Sequence, residues 1–189
     1  MENKKHYFYA VKIPEYNKKY LNQWIEENID RSLFEKWVHP LDFHITLAFL
    51  GYAQKNDLYK LTDEIRYSLI KTSGFPLTIS HFGTFGKPNN PRIFWAGVYD
   101  SQQLYEIQNT VFDFCMRAGF QLDQKPFRPH ITVARKFKGV EPFKLSNIRS
   151  LAEETKSWRT FIVSEIVLYQ TNLHQTPKYE EIEKIQLQL

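Results

Sequence analysis

The chain repeats one short pattern at two widely separated places. The segment from His44 to Ala48 reads His-Ile-Thr-Leu-Ala, and the segment from His130 to Ala134, 130 − 44 = 86 residues later, reads His-Ile-Thr-Val-Ala. In an extended strand, alternate side chains point to opposite faces. Each segment therefore predicts a strand with histidine, threonine and alanine on one face and two aliphatic side chains, which suit a core, on the other.

The surroundings of the two segments also match. Tyr9 precedes His44 by 44 − 9 = 35 residues, and Trp95 precedes His130 by 130 − 95 = 35 residues. Each interval starts in an aromatic, β-branched run typical of a strand and continues into an apolar periodicity typical of a helix. A structural duplication explains this match economically, with coincidence as the open alternative.

The order of elements along the chain favours an α+β fold with antiparallel pairing rather than a regular parallel winding. Gly83–Pro91, rich in Gly, Pro and Asn, is expected to be a loop, and the pattern over 143–155 is ambiguous. The expected helices are Leu21–Ile29, Leu58–Leu69 and Leu104–Ala118, the last with Ser101 as N-cap and Gly119 at its end. The expected strands are Tyr7–Ile13, Phe43–Leu50, Pro76–Phe82, Arg92–Tyr99, His130–Lys136, Phe161–Gln170 and Tyr179–Leu189.

Composition excludes several classes of protein. A hydrophobic content of 42% is too high for a disordered chain, and the net charge of 25 − 21 = +4 suits a polyanionic partner without requiring one. Cys115 is the only cysteine, which excludes an intramolecular disulfide and a cysteine zinc site. The apolar run Tyr7–Val11 is too short for a signal sequence or a membrane span. We therefore expect a cytoplasmic protein with no membrane contact.

Two histidines on equivalent strands suit the cleavage of a phosphodiester. In-line attack at phosphorus needs one group that deprotonates the nucleophile and another, on the opposite side, that protonates the departing oxygen. Histidine has an ordinary pKa of ~6.5, so one ring can be neutral and one charged near neutral pH. The hydroxyls of Thr46 and Thr132 can donate hydrogen bonds to the non-bridging oxygens, where negative charge concentrates.

A third His-x-Thr triplet, His174-Gln175-Thr176, lies between Asn172 and Pro177 without the flanking pattern of a strand. It predicts a turn, and it shows that the bare triplet is a weak signal. The strong signal is the shared context of the other two copies.

With these residues in view, the chain resembles the two-histidine (2H) phosphoesterases, and within them the bacterial RNA 2′,3′-cyclic phosphodiesterase branch, also called LigT-like or 2′-5′ RNA ligase-like. The departures are mild, with Val133 in place of the usual Leu and Val167–Gln170 where Ser often follows Leu-Tyr. The resemblance covers nearly the whole chain and is carried by Phe8–Val11 with Pro14, Phe43–Gly51, Pro91–Val98 and Phe127–Arg135.

The resemblance implies a single domain over 1–189, made of two intertwined lobes with one His-x-Thr motif each, antiparallel sheets, outer helices and a central cleft between the histidines. It implies hydrolysis of RNA 2′,3′-cyclic phosphate ends to 2′-phosphomonoesters without metal or cofactor, and the reverse joining of RNA ends by a 2′,5′ linkage. The expected partner is RNA or a nucleotide with a 2′,3′-cyclic phosphate, and the expected protein is a monomer.

The roles of the two histidines rest partly on the resemblance and partly on their neighbours in the sequence. We expect His44 to be the general acid, because the carboxylate of nearby Asp42 favours a charged ring. We expect His130 to be the general base, because Lys125 and Arg128 favour a neutral ring.

Other residues are candidates for binding substrate. Arg135 would face away from His130 in an ideal strand and reaches the phosphate only at a strand end or a bulge. The rings of Phe8, Trp95 and Phe127 can stack a base, although core packing is the better expectation for each. A local basic surface, or a solvated face, is formed by Arg117, Lys125, Arg128, Arg135, Lys136 and Lys138 against Asp123.

Two alternatives differ in class from this enzyme. A non-catalytic module that binds RNA ends or nucleotides on the same scaffold would be favoured by loss of a motif histidine or threonine, and all four are present. A metal hydrolase is disfavoured because the two histidines are far apart in sequence and only Asp42 is near one of them. A histidine-triad nucleotide hydrolase would need alternating histidines on one strand, where this chain has Thr132 and Ala134.

Overall fold

The computed structural model describes residues 5–151 and 157–188. Within them, three helices are assigned: α1 Glu15–Asn28, α2 Lys55–Leu69 and α3 Gln102–Arg117. The strands are β1 His6–Lys12, β2 Phe34–Trp37, β3 His44–Tyr52, β4 Phe75–Lys87, β5 Asn90–Val98, β6 His130–Phe137, β7 Thr160–Val163, β8 Glu165–Thr171 and β9 Tyr179–Gln186.

All the described strands join one sheet, in the order β7-β4-β5-β6-β3-β1-β8-β9 with β2 beside β6. Every pair of strands in it is antiparallel, which confirms the α+β class. We call β3-β1-β8-β9 the first half-sheet and β6-β5-β4-β7 the second. They meet where Ile45 of β3 pairs with Ile131 of β6. In each half-sheet, the strand next to the motif strand is the one that precedes the helix before that motif: β1 beside β3, and β5 beside β6.

The first half-sheet contains a β-bulge in β3. Tyr9 of β1 pairs with Ala48, but the next residue, Ala10, pairs with Thr46, so Leu47 has no partner in this register. One extra residue in one strand of an antiparallel pair reverses which face the following side chains occupy.

The second half-sheet contains the same bulge in β6. Phe94 of β5 pairs with Ala134 and Trp95 pairs with Thr132, which leaves Val133 over. The register therefore makes Phe94 the counterpart of Tyr9, so the equal 35-residue spacings, which align Tyr9 with Trp95, are off by one residue. The matched strand order and matched bulges support the duplication independently of that spacing.

One main core lies on the face of the sheet that carries Ile45 and Ile131, both 0% exposed. The apolar stripes of α2 and α3, including Leu61, Ile65 and Ile107, are buried in it. A smaller cluster of Phe8, Ala10, Val167 and Tyr169 lies apart from it. None of the helices in the described part of the chain is long and apolar enough to cross a membrane.

Two expectations for individual elements were wrong, and one strand was missed. Gly83–Pro91 is largely strand, because β4 runs to Lys87 and β5 begins at Asn90. The strand expected over Phe161–Gln170 is two strands separated at Ser164. The short β2 was not expected at all.

Other expectations are confirmed. The hydroxyl of Ser101 accepts a hydrogen bond from the backbone N–H of Leu104 at the start of α3. Gly119 follows the helix with φ of 90°, a conformation that favours glycine. The ambiguous stretch over 143–155 contains a short 3₁₀ turn, Leu145–Asn147, and its residues 152–155 lie outside the described residues, as does Leu189.

The packing of Phe94 gives a stability prediction. Its ring is 0% exposed and lies between Phe34, with centroids 5.3 Å apart, and Phe82, with centroids 5.1 Å apart. Phe94→Ala should lower the free energy of unfolding by about 3–5 kcal/mol in urea denaturation, because it removes two ring contacts and leaves a cavity. Tyr67→Ala, at a residue 80% exposed, should change it by less than about 0.5 kcal/mol. Equal effects would contradict this packing.

Candidate active site

The pairing of Ile45 with Ile131 places the two motifs side by side. Because both isoleucines point into the core, the residues before and after each one point to the opposite face. The antiparallel register brings His44 beside Thr132 and brings His130 beside Thr46. We call the sheet face that carries these four half-buried side chains the histidine face.

The ring of His44 is fixed by two hydrogen bonds. Its Nδ1 lies 2.7 Å from the backbone oxygen of Asp42, which can only accept, so Nδ1 carries the proton. In the neutral ring, Nε2 then holds the lone pair, and the hydroxyl of Thr46 donates to it at 3.1 Å.

The ring of His130 is held in the same way. Its Nδ1 donates to the backbone oxygen of Arg128 at 2.7 Å, again two residues earlier in the chain. Both rings are therefore fixed in one tautomer with Nε2 free to take up a proton, which is what acid–base catalysis requires of either group.

Both histidines have a lowered pKa. Burial is the main cause for His44 and lowers its pKa to about 4, although the hydrogen bond to the Asp42 carbonyl acts in the opposite direction. The positive charges of Lys18 and Arg135 and the neighbouring His130 lower it further. The pKa of His130 is lowered by burial and by Arg135, against the hydrogen bond to the Arg128 carbonyl. Both rings are thus neutral near pH 7 when the site is empty.

The electrostatic argument for a charged His44 was therefore wrong, whereas His130 has the neutral ring expected of it, through burial and Arg135 instead of Lys125 and Arg128. The buried carboxylate of Asp42 accepts hydrogen bonds of 3.0–3.1 Å from the backbone N–H groups of Lys178 and Tyr179. It does not keep His44 charged, and the pKa of His44 falls. Near His130, Lys125 forms its ion pair with Asp123.

Aromatic rings pack around His44. The centroid of its ring lies 4.8 Å from that of Phe8, 5.1 Å from that of Tyr179 and 5.9 Å from that of Tyr169. Phe8 is 3% exposed and also contacts both tyrosines. The faces of the Phe8 ring are therefore occupied, and in this structure it supports His44 instead of offering a surface for a base.

The surroundings of His130 differ. Its ring contacts Phe85 edge-on at 4.9 Å and Trp95 at 6.2 Å. The indole of Trp95 lies over Gly83, where a Cβ atom would come within 2.3 Å of it. Trp95 is half-buried and keeps part of its ring accessible on the histidine face, unlike Phe8.

The bulge turns Arg135 to the histidine face. In a regular strand Arg135 would point to the face opposite His130, into the core. The extra residue in β6 reverses the alternation of side chains, so Arg135 points to the histidine face and is exposed. Its charge acts on His44, His130 and Tyr179. The matching position in the first half-sheet is Phe49, which is 54% exposed.

The remaining candidates are not brought to the two histidines. Phe127 packs partly buried against the main core, with its ring edge-on to Tyr105 of α3. His174 and Thr176 lie in the exposed β8–β9 loop, as the missing strand context predicted. Within the expected basic surface, Arg117 stacks on Phe114 and Lys136 forms an ion pair with Glu35.

Two side chains near His44, Tyr179 and Lys18, were not predicted from the sequence. Tyr179 contacts the ring of His44, and Asp42 holds the backbone at residues 178 and 179 by accepting their N–H hydrogen bonds. Lys18 of α1 is 5% exposed and donates to the backbone oxygen of Leu41, at the turn that precedes the motif. Across residues 5–151 and 157–188, no group of three or more His, Cys, Asp or Glu side chains is arranged to hold a metal ion.

The relatives found by comparison with known proteins agree with one another in family and in name. The family model of the 2′-5′ RNA ligase superfamily matches residues 19–175. An RNA 2′,3′-cyclic phosphodiesterase of Geobacillus stearothermophilus is 41% identical over 177 residues, 94% of this chain and 55% of that protein. The chain thus spans about half the length of that relative. An RNA 2′,3′-cyclic phosphodiesterase of Bacillus subtilis is 33% identical over 188 residues, 96% of each chain.

Solved structures share the fold. Escherichia coli LigT, crystallised in complex with 3′-AMP, superposes with a TM-score of 0.81 at 21% identity, covering 98% of this chain and 99% of that one. The arrangement of strands and helices is therefore that of LigT.

The lowered pKa of His44 predicts how stability depends on pH. Between its ordinary pKa of ~6.5 and its folded pKa of about 4, the unfolded chain binds more protons than the folded one, so stability falls as the pH falls through this window. His44→Gln removes this contribution. Between pH 7.5 and 4.5 its free energy of unfolding should fall by about 1–2 kcal/mol less than that of the unmodified protein, measured by urea denaturation.

His174→Gln in the exposed loop is the matched control and should follow the unmodified protein. A His44→Gln variant that loses as much stability on acidification as the unmodified protein would contradict the burial of the charged form at this position.

Proposed function

The chain belongs to the 2′-5′ RNA ligase superfamily, and we propose that it hydrolyses RNA 2′,3′-cyclic phosphate ends to 2′-phosphomonoesters by acid–base catalysis with His44 and His130. The curated relatives that carry this activity in their names support the reaction. The observation that carries the proposal for this chain is the pair of rings beside the Ile45–Ile131 bridge, both fixed through Nδ1 and both presenting Nε2.

The reaction needs one base and one acid. In the proposed direction, Nε2 of His130 takes a proton from water as its oxygen bonds to phosphorus. The bond from phosphorus to the 3′ oxygen breaks, and Nε2 of His44 donates the proton that makes this oxygen a hydroxyl. The 2′ oxygen keeps the phosphate. When the 5′ hydroxyl of another RNA end replaces water as the nucleophile, the same steps join the two ends by a 2′,5′ linkage, and the reverse of those steps cleaves that linkage.

This assignment of acid and base rests on the family resemblance alone. The pKa is lowered in both histidines, so it does not distinguish an acid from a base. Both rings are neutral when the site is empty, so His44 must gain its proton when substrate binds. The negative charge of the phosphodiester favours the imidazolium form of a nearby ring. A bound phosphate therefore offsets the burial that lowers the pKa of His44 to about 4.

Four further side chains complete the proposed site. The hydroxyls of Thr46 and Thr132 donate hydrogen bonds to the non-bridging oxygens, for which Thr46 must exchange its bond to Nε2 of His44. The guanidinium of Arg135 balances the charge that develops on them. Trp95 offers its half-buried ring to the terminal base, while Phe8 holds the ring of His44. Phe127 stays a candidate for contact with RNA beyond the terminal nucleotide.

The same scaffold could bind RNA ends without cleaving them, but the retention of both anchored rings favours catalysis. Both histidines come from one chain, so we propose that it acts as a monomer. We also propose that it acts in the cytoplasm, where RNA is processed. Neither metal nor cofactor is needed in this mechanism, since the two rings carry out both proton transfers.

The function is tested with an oligoribonucleotide that ends in a 2′,3′-cyclic phosphate, incubated in excess chelator. The protein should open the ring and leave the phosphate on the 2′ oxygen, as read by phosphorus NMR or by resistance to an enzyme specific for 3′-phosphates. His44→Ala and His130→Ala should each lower the rate by about 10²–10⁴-fold. Tight binding of the oligonucleotide without cleavage would favour the binding module, and activity restored only by added metal would refute the two-histidine mechanism.

The division of labour is tested with a substrate whose leaving group needs no proton, such as a nitrophenyl phosphodiester. His44→Ala should recover most of its lost rate on this substrate, because the missing proton donor is no longer required, whereas His130→Ala should not recover. The opposite pattern would reverse the two roles. Recovery of neither would mean that both rings mainly bind phosphate.

A further inference from the structure

A third histidine lies on the histidine face in the second half-sheet. His81 of β4 pairs with Gly97 of β5, and Gly97 pairs with His130 of β6. Residues paired across an antiparallel sheet share a face, so His81 is in the same row as His130, two strands or roughly 10 Å away across the sheet. The mechanism proposed above does not use it.

Gly97 lets the ring of His81 lean towards His130. A Cβ atom at Gly97 would lie 2.6 Å from Cε1 and 2.8 Å from Nε2 of His81, and 2.9 Å from the ring of Trp95. Any other residue at this position would push both rings aside. The glycine therefore keeps an imidazole and an indole together next to the base, and His81 remains exposed there.

The hydrogen bond at Nδ1 distinguishes His81 from the two catalytic rings. In His44 and His130, Nδ1 donates to a carbonyl and Nε2 is an acceptor. In His81, Nδ1 lies 2.7 Å from the hydroxyl of buried Ser80, which can donate to it. His81 can then present Nε2–H as a hydrogen-bond donor, which suits an anionic oxygen.

The corresponding row of the first half-sheet is filled. Lys12 of β1 pairs with His44, where the second half-sheet has Gly97. Its ammonium forms ion pairs of 3.3 Å with Glu165 and 3.0 Å with Glu181, and Glu181 also pairs with Lys184 at 2.8 Å. The charges of these two lysines and two glutamates balance one another, so the two ends of the histidine face are chemically different.

Exposed positive charge lies on β6, the inner strand of the second half-sheet, and on β2, which is beside β6 on the side away from β5. Lys36 of β2 pairs with Arg135 of β6, and both are exposed. A polyanion at the catalytic histidines therefore meets the cation of Arg135 in the second half-sheet and a charge-balanced network in the first.

We propose that His81 donates a hydrogen bond from Nε2 to the phosphodiester on the 5′ side of the terminal nucleotide, so that RNA extends over the second half-sheet. This inference rests on the proposed function and names the next phosphate along the same substrate. A nucleoside 2′,3′-cyclic phosphate without a 5′-phosphate lacks this group and cannot use His81.

The test compares adenosine 2′,3′-cyclic phosphate with and without a 5′-phosphate, using the unmodified protein, His81→Ala and His81→Gln. The unmodified protein should have a KM about tenfold lower for the 5′-phosphorylated substrate, the difference that one hydrogen bond to a charged group provides. His81→Ala should abolish this preference through KM, with kcat unaffected. His81→Gln should keep part of it, because the Gln amide can also donate.

His6→Ala is the matched control, since His6 is an exposed histidine at the outer end of β1 in the first half-sheet. It should keep the full preference. Loss of the preference in His6→Ala, a preference that survives in His81→Ala, or an equal fall in activity on both substrates in His81→Ala would each overturn the proposal. No hydrolysis of either substrate by the unmodified protein would instead refute the proposed function, so the two failures are distinguishable.

Discussion

The pairing of Ile45 with Ile131 is the constraint on which the rest of the site depends. Both side chains are fully buried in the core, and their strands meet at this pair. Since successive residues of a strand face opposite ways, burial of the two isoleucines forces the histidine and threonine beside each onto the other face. A slip of one residue in either strand would turn its histidine into the core. Hydrophobic packing therefore fixes the orientation of the polar groups.

The bulges extend this control and also break the symmetry. The same extra residue, Leu47 in β3 and Val133 in β6, brings the side chain five places after each histidine onto the histidine face. In the first half-sheet that side chain is Phe49, and in the second it is Arg135. A duplicated backbone thus supplies two equivalent positions for an acid and a base, while different side chains on it suit a substrate that is not itself symmetric.

What the sequence could predict follows from the range of each interaction. Strand alternation is local, so the orientation of His44 and His130 could be predicted from five-residue patterns. The orientation of Arg135 could not, because a bulge is a property of two paired strands and has no signature in one of them. Gly83 was expected in a loop because the segment that begins with it is rich in Gly, Pro and Asn, whereas the structure places it in β4 under the indole of Trp95. Tyr179 reaches His44 through Asp42, 137 residues earlier in the chain, a distance that no local pattern spans.

Asp42 shows why charge in the sequence is a poor guide to charge in the site. Its position two residues before His44 suggested a carboxylate that keeps the ring protonated, but this carboxylate binds backbone N–H groups and holds Tyr179 against His44. It thereby adds to the burial that disfavours the imidazolium, so its geometric effect opposes the Coulombic effect expected of it. An empty site with two neutral rings avoids placing two cations side by side next to Arg135. The proton needed by the general acid is then taken up together with the negative charge of the substrate, which ties the catalytic protonation state to occupancy of the site.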